Sequence, residues 1–276
     1  MQPLVSIIIP SHNRMDLLPA CLNSIYAQDT ADLGETEIIV VDDSSVDCTW
    51  DFLTEEAKKH PELKPIHAEV RNVSKARNLG LDAATGLYIR FVDSDDELPP
   101  DSMRRLITAC KEGDSALAIG AFDRRSGQRI TKPRVLFKEN ATHEMKAFAP
   151  QMIRVITSYT VGVVWNKLFR RDIIEARGLR FVPGLTYGED FLFVMQYLPG
   201  CKRVSTVTDS VYRYYFNPKS LTTGQVMSCV THPLVNIRCK RQLFDGYRGA
   251  FRELGLYEQY RHRIDSYMWL VNLYDN

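Results

Sequence analysis

Apolar positions along this chain switch repeatedly between two periods. Val5 to Ile9, apolar but for Ser6, reads as a buried strand, whereas Leu17, Leu18, Cys21, Leu22 and Ile25 recur at the spacing of one helical face. Glu37 to Val41 then reads as a second strand, and a helix over about Thr49 to Lys59 opens after the polar cluster Asp43-Ser44-Ser45. A short strand at Pro65 to Ala68, a helix at Ser74 to Ala84 and a strand at Leu87 to Val92 follow. This βαβαβαβ order predicts right-handed crossovers and an α/β fold whose mostly parallel central sheet carries helices on both faces. The pattern then loosens into strands at Ser115 to Phe122 and Ile130 to Phe137, with helices at Glu144 to Ser158, Asp172 to Arg177 and Asp190 to Leu198. In the tail, Leu243, Tyr247, Phe251 and Leu254 keep helical spacing, so a C-terminal helical appendage over 226–276 is expected on a domain over 1–225. No C-cap is evident at Asn276, which suggests a truncated chain.

Open α/β sheets bind ligands where strands end. Pro10-Ser11-His12-Asn13, Asp42-Asp43 and Asp93-Ser94-Asp95-Asp96 all fall at the carboxyl ends of predicted strands. Carboxylates two residues apart, as Asp93 and Asp95 are, can turn toward one cavity when the pleat gives way to a loop, and hard oxygen ligands suit Mg²⁺ or Mn²⁺. The same letters also describe an acidic helix start, with Pro99 and Pro100 near N1. Asp190 has two readings as well. It follows a loop flanked by Gly184 and Gly188, where it can act as a base, and it opens an apolar helix, where it can serve as an N-cap.

Composition narrows the partners. The chain has 276 residues, 45% hydrophobic and 25% charged, with a formal net charge of +1. These are ordinary globular proportions and give no bulk attraction to nucleic acid. The six cysteines are scattered without CxxC, which fits reduced thiols rather than a disulfide framework or a zinc site. No signal-like or membrane-spanning run occurs, so a cytoplasmic location is expected. Arg238, Lys240, Arg241, Arg248 and Arg252 share the tail's helical pattern, which leaves peripheral docking on an anionic membrane surface open beside simple packing. GxGxxG, GxxxxGK[ST] and GxSxG are all missing, so any phosphate cradle has to come from elsewhere, such as a divalent ion.

VSIIIPSHNR, EIIVVDDSSVDCT, RNVSKARNLGLDAATGLYIRFVDSDD, VVWNKLFRR and TYGEDFLF, in that order, resemble the family 2 glycosyltransferases of the GT-A fold over nearly all of residues 3–221. The resemblance implies a Rossmann-like sheet and inverting transfer of a sugar from a nucleoside diphosphate sugar, UDP being the commonest carrier, to a glycan, lipid-linked or other hydroxyl acceptor, as in bacterial surface polysaccharide synthesis. It places Pro10, His12, Asn13 and Arg14 around the base, Asp42 on the base or ribose, and Asn72 and Arg77 beside the nucleotide. Asp93 and Ser94 fall near the ribose, Asp95 with Asp93 at a Mn²⁺ or Mg²⁺ ion, and Glu189-Asp190 match the family's acidic pair with Asp190 as base. Trp165 and Lys167 are candidates for the acceptor, by stacking a sugar and pairing a phosphate, against the alternative of a buried Trp beside a surface Lys. VYRYYFNPKSLTT resembles the family's tyrosine-rich strand and diphosphate loop, but Tyr215 stands where Arg is usual, so Arg213 or Lys219, with Ser220, would contact the diphosphate. Two other readings compete: a metal-dependent nucleotidyltransferase, which would want a glycine-rich first loop, and a non-catalytic nucleotide-sugar-binding scaffold.

Overall fold

The computed structural model describes residues 2–127, 129–131, 137–154, 159–185, 188–215 and 233–273. Lys219 and Ser220 lie outside the described residues.

Four strands, β1 (Val5–Ser11), β2 (Thr36–Asp43), β3 (Leu63–Ala68) and β4 (Tyr88–Phe91), pair in parallel in the order β3-β2-β1-β4, each joined to the next through a helix. The connecting helices are α1 (Leu18–Tyr26), α2 (Thr49–Lys59) and α3 (Val73–Ala83). Every residue of β1 and β4 is buried, which explains why these segments are mostly apolar on both faces rather than alternating, with Ser6, Ser11 and Arg90 as the buried polar exceptions. Ile8, Ile39 and Val41 face Ala76 and Leu81 of α3 on one side of the sheet. Ile7, Ile9, Ile38 and Val40 face the buried stripe of α1 on the other, where α4 (Ser102–Gly113) adds Met103, Leu106, Ile107 and Cys110.

Beyond β4 the sheet becomes mixed. β8 (Lys167–Arg170) inserts antiparallel between β4 and β5 (Leu117–Ser126), and β9 (Arg203–Tyr215) runs parallel to β5 before β7 (Ala141–Glu144) closes the edge. β6 (Arg129–Thr131) folds back antiparallel on β5 and starts one residue earlier than the strand expected over Ile130 to Phe137, most of which lies outside the described residues. The parallel half therefore carries the predicted topology, and antiparallel additions build the rest.

The two C-terminal helices, Pro233–Glu253 and Tyr257–Leu273, are built into this body. Tyr247, Ala250, Phe251, Tyr257 and Ile264 join the same apolar cluster as Ile8, Ile39 and Phe91. The first of the two packs on α8 (Glu189–Tyr197): Leu243 lies over Gly188, and Gly246 lets the helix approach Leu192. Arg248 pairs with Asp265 at 2.9 Å and lies over the Phe244 ring, while Arg252 lies over Tyr257, so these two cations have partners within the helical pair. Among the described residues no helix is long and apolar enough to cross a membrane.

At the amino-terminal edge of the sheet a buried acid ties the strands together. Glu37 Oε1 accepts from Ser6 Oγ at 2.5 Å, Thr85 N at 2.7 Å and Gly86 N at 3.1 Å, and Oε2 accepts from Lys64 Nζ at 2.5 Å. Burial would raise its pKa, but these donors, Lys64 and Ser6 foremost, hold it down to about 2.

Candidate active site

At the opposite edge, the loops that leave β1, β2 and β4 converge. Asn13 adopts φ 49°, its N–H donates to Ser45 Oγ at 2.8 Å, and its Oδ1 accepts from Val46 N at 2.8 Å. Asn tolerates this left-handed conformation better than most residues, which suits it to a loop that must turn sharply. Ser45 Oγ in turn donates to Asp42 Oδ1 at 2.5 Å. The other carboxylate oxygen of Asp42 is buried and, among the described residues, lacks a hydrogen-bond partner, with His67 Nδ1 standing 3.3 Å away. His12 Nδ1 donates to the Asp43 carbonyl at 2.6 Å, which leaves Nε2 to accept from Asn13 Nδ2 at 3.1 Å. Pro10 is buried in β1 opposite Val41.

Asp43, next to Asp42, has a different duty. Its carboxylate accepts the N–H groups of Val70 at 2.8 Å and of Arg71 and Asn72 at 2.7 Å each, which shapes the turn into α3 around the positive φ of Arg71. Burial works against its ionisation, yet the Arg71, Asn72 and Val70 donors hold its carboxyl below the usual range. Asn72 caps α3 by accepting from Lys75 N at 3.0 Å, so its side chain serves the helix.

Capped in this way, α3 aims Arg77 at the centre of the site. Arg77 is 4% exposed; it donates through Nη1 to Asp190 Oδ1 at 2.9 Å and Glu189 Oε1 at 3.2 Å, and through Nη2 to Asp93 Oδ1 at 3.0 Å. Phe181 packs against the guanidinium, 5.3 Å from ring centroid to Cζ. One buried cation thus gathers acids from β4's exit and from the first turn of α8, where Glu189 and Asp190 sit at helix positions that favour negative charge. Asp190 Oδ2 also accepts from Val164 N at 3.3 Å. Burial pushes the Asp190 carboxyl up to about 7; Arg77 opposes this, while Glu189 and Asp93 add to it.

The acidic loop itself is held from β9. Asp93 N donates to Tyr212 Oη at 3.0 Å, Tyr215 N donates to Asp96 Oδ1 at 2.7 Å, and Glu97 and Arg213 form a backbone bridge with their side chains 3.6 Å apart. Ser94 is buried. Asp95 faces Arg14 at 3.6 Å, and burial followed by the charge of Asp93 raises its pKa. Asp96 is raised well above the carboxylate range by its own burial and then by Asp93 and Asp95.

A family model described as "Glycosyl transferase family 2" matches residues 6–178. The chain belongs to that family. It is 30% identical over 222 residues to the uncharacterized glycosyltransferase EpsJ of Bacillus subtilis, covering 80% of this chain and 64% of that one. It is also 30% identical over 234 residues to the poly(ribitol-phosphate) beta-glucosyltransferase of Bacillus spizizenii, covering 84% of this chain and 34% of the relative. The chain therefore spans less than two thirds of the length of these relatives. The crystal structure of Staphylococcus aureus TarS 1-349 in complex with UDP-GlcNAc superposes with a TM-score of 0.68 at 22% identity, over 91% of this chain and 73% of that one. The fold is thus the GT-A fold of family 2, a mixed sheet flanked by helices.

Two expectations need correction on this family 2 scaffold. Lys167 is fully buried in β8, and its Nζ donates to Thr160 O at 2.8 Å, Val163 O at 2.6 Å and Asn166 Oδ1 at 2.8 Å. All three ammonium protons are taken, so none remains for an acceptor phosphate. Trp165 is 6% exposed, stacked on Tyr212 at 4.4 Å and edge-on to Phe122, with no open face for a sugar. Sequence reasoning had considered a buried Trp beside a surface Lys; the structure buries both. It also missed His67, Tyr212 and the turn-building role of Asp43. The single signal for Tyr212 was the alternation of VYRYY, which sends Tyr212 and Tyr214 to one side of β9.

Among the described residues no group of three or more His, Cys, Asp and Glu side chains is arranged as a cage for a metal ion. A divalent ion shared with a diphosphate requires less, since Mg²⁺ is commonly held by one or two carboxylates plus substrate phosphates. Asp95 fits that need: its carboxylate is hard, 22% exposed and destabilised as an anion by burial and then by Asp93, with Arg14 its one ion-pair partner among the described residues. Asp93 has committed Oδ1 to Arg77 and keeps Oδ2.

Proposed function

We propose that this chain transfers a sugar from a nucleoside diphosphate sugar, with UDP as the carrier, to an acceptor hydroxyl of a bacterial surface polymer, inverting the anomeric centre. The observation that carries this reading is the Arg77 node, which joins Asp190, a carboxyl poised at about 7, to Asp93 on the loop suited to the nucleotide. General bases work best with a pKa near the operating pH. The names of relatives such as the poly(ribitol-phosphate) beta-glucosyltransferase support a polyol or glycan hydroxyl as the acceptor class.

In this mechanism the buried Asp42 oxygen that lacks a donor accepts an N–H of the base, and Asn13 and Ser45 keep that carboxylate in place. Asp95, with Asp93, would hold Mn²⁺ or Mg²⁺, which supplies charge stabilisation to the departing diphosphate. Asp190 takes the acceptor hydroxyl's proton as the oxygen forms its bond to the anomeric carbon and the bond from that carbon to the diphosphate oxygen breaks. A single displacement of this kind inverts configuration. Glu189 shares Arg77 with Asp190 and keeps the guanidinium aligned.

Asp190→Asn keeps the side-chain shape and removes the basic oxygen. Turnover per folded molecule is expected to fall by roughly 10²–10⁴ while UDP affinity in the presence of Mn²⁺ stays within a few-fold. Near-normal turnover of the folded variant would remove Asp190 from the chemistry, and a retained anomeric configuration by NMR would overturn the single displacement.

A further inference from the structure

Lys167 lies too deep to meet any substrate, yet it is one peptide away from the base. The Val163 carbonyl accepts from Lys167 Nζ at 2.6 Å, and the N–H of the same peptide unit, on Val164, donates to Asp190 Oδ2 at 3.3 Å. A planar peptide transmits orientation rigidly, because gripping its oxygen fixes the direction of its N–H. Lys167 also holds Thr160 O at 2.8 Å and Asn166 Oδ1 at 2.8 Å, and Asn166 Nδ2 anchors to Gly120 O on β5 at 2.9 Å. The turn over residues 160–164 is therefore pinned to the sheet through β8, the strand paired with both β4 and β5.

Asp190 thus has two supports on different sides. Arg77 takes Oδ1 and the Val164 N–H takes Oδ2, which leaves the carboxylate little freedom to rotate. From this geometry we infer that Lys167 is a positioning residue for the transfer reaction, acting on Asp190 through the Val163–Val164 peptide. The inference rests on Asp190 being the base. A buried ammonium next to a peptide carbonyl also polarises that peptide and strengthens its N–H as a donor, so the lysine serves better here than a neutral spacer of the same length. Burial pulls the Lys167 pKa well down and the charge of Asp190 opposes this, while three oxygen acceptors around Nζ match the three donors of an ammonium.

The test is a double-mutant cycle of Lys167→Met and Asp190→Asn, with turnover measured as nucleoside diphosphate release from the donor selected from a panel of UDP-, GDP- and dTDP-sugars. Melting temperature and UDP titration in the presence of Mn²⁺ accompany each protein. In the otherwise unchanged enzyme, Lys167→Met should lower kcat per folded molecule by roughly 10- to 100-fold, the scale of a misplaced catalytic group, with UDP affinity within about three-fold. In the Asp190→Asn background the same substitution should change kcat by less than about two-fold, because the group it positions has lost its function. A lysine that is only structural would give losses that multiply, and that result overturns the inference while leaving the base assignment intact. Full activity of Asp190→Asn overturns both. If the methionine variant is not recovered folded, Lys167→Gln carries the cycle, because its shorter side chain has two N–H donors in place of three and ends short of the Val163 carbonyl, so the same loss that does not multiply with Asp190→Asn is expected.

Discussion

The Arg77 guanidinium donates to Asp190 Oδ1 at 2.9 Å from a position in which it is almost wholly buried. A buried arginine surrounded by Asp93, Glu189 and Asp190 is overmatched in charge, and one of the three acids has to give way. Burial raises the Asp190 carboxyl to about 7, with Arg77 opposing and the charges of Glu189 and Asp93 adding to it. The contact that organises the site thus also works against burial on the carboxyl proposed as the base.

Activity should therefore rise with pH. A base works when ionised, so kcat/KM is expected to be low below about 7, to climb through an apparent pKa near that value and to level off above it. Arg77 favours the ionised carboxylate, so Arg77→Met should move this acidic limb to higher pH. It should also destabilise the fold by about 3–5 kcal/mol, since it leaves buried acids without their cation. A pH–rate profile with an unshifted limb in that variant would refute the assignment.

Asp95→Ala removes the acid best placed to hold a divalent ion. Mn²⁺-dependent UDP binding, measured by calorimetry, should be lost, and the melting temperature should change little because Asp95's one ion pair among the described residues is the partly exposed contact with Arg14 at 3.6 Å. Unchanged Mn²⁺-dependent binding would exclude Asp95 as a ligand.

Gly188 stands at φ 81°, and a Cβ there would meet Leu243 Cδ1 at 2.8 Å. Gly188→Ala should cost about 1–2 kcal/mol from the left-handed backbone alone. The clash should also shift the first turn of α8, so kcat should drop more than donor affinity. Chemical unfolding and steady-state kinetics check the two parts separately, and an unchanged unfolding midpoint would contradict the packing described here.

Glu37 offers a control far from the chemistry. Its pKa is depressed to about 2 in the folded state from an ordinary 4.5, so its contribution is present above about 4.5 and is lost as pH falls toward 2. A shift of that size corresponds to about 3 kcal/mol. Glu37→Gln should lower stability at neutral pH by that order and flatten the loss of stability between pH 4.5 and 2, with turnover per folded molecule unchanged. Urea titrations across that range would expose an error as an unaltered acid slope.

Much of the parallel half was legible because its information is local. Buried strands read as apolar runs and covering helices as one-sided stripes, so the elements from Val5 to Val92 were predictable to within a few residues. The strand-end placement of Asp42, Asp93 and Asp95 followed from the topology rule alone. Four-residue β8 was not legible as a strand: Lys167-Leu168-Phe169-Arg170 has little strand character of its own, and its pairing comes from β4 and β5, which are distant in sequence.

The amino-acid sequence by itself determined the family, the α/β order and the set of acids at the strand ends, since each rests on spacing along the chain. Only the tertiary structure decided which acids share a cation, that Asp43 builds a turn while Asp42 keeps a free oxygen, and that Lys167 and Trp165 are interior. The shared cation and the Asp43 turn depend on partners 16 to 113 residues apart, from Arg77 with Asp93 to Arg77 with Asp190, and the interior placement of Lys167 and Trp165 depends on burial. A charge becomes a surface group, a structural anchor or a poised base according to the water it loses and the partner it finds, and neither is written in its immediate neighbours.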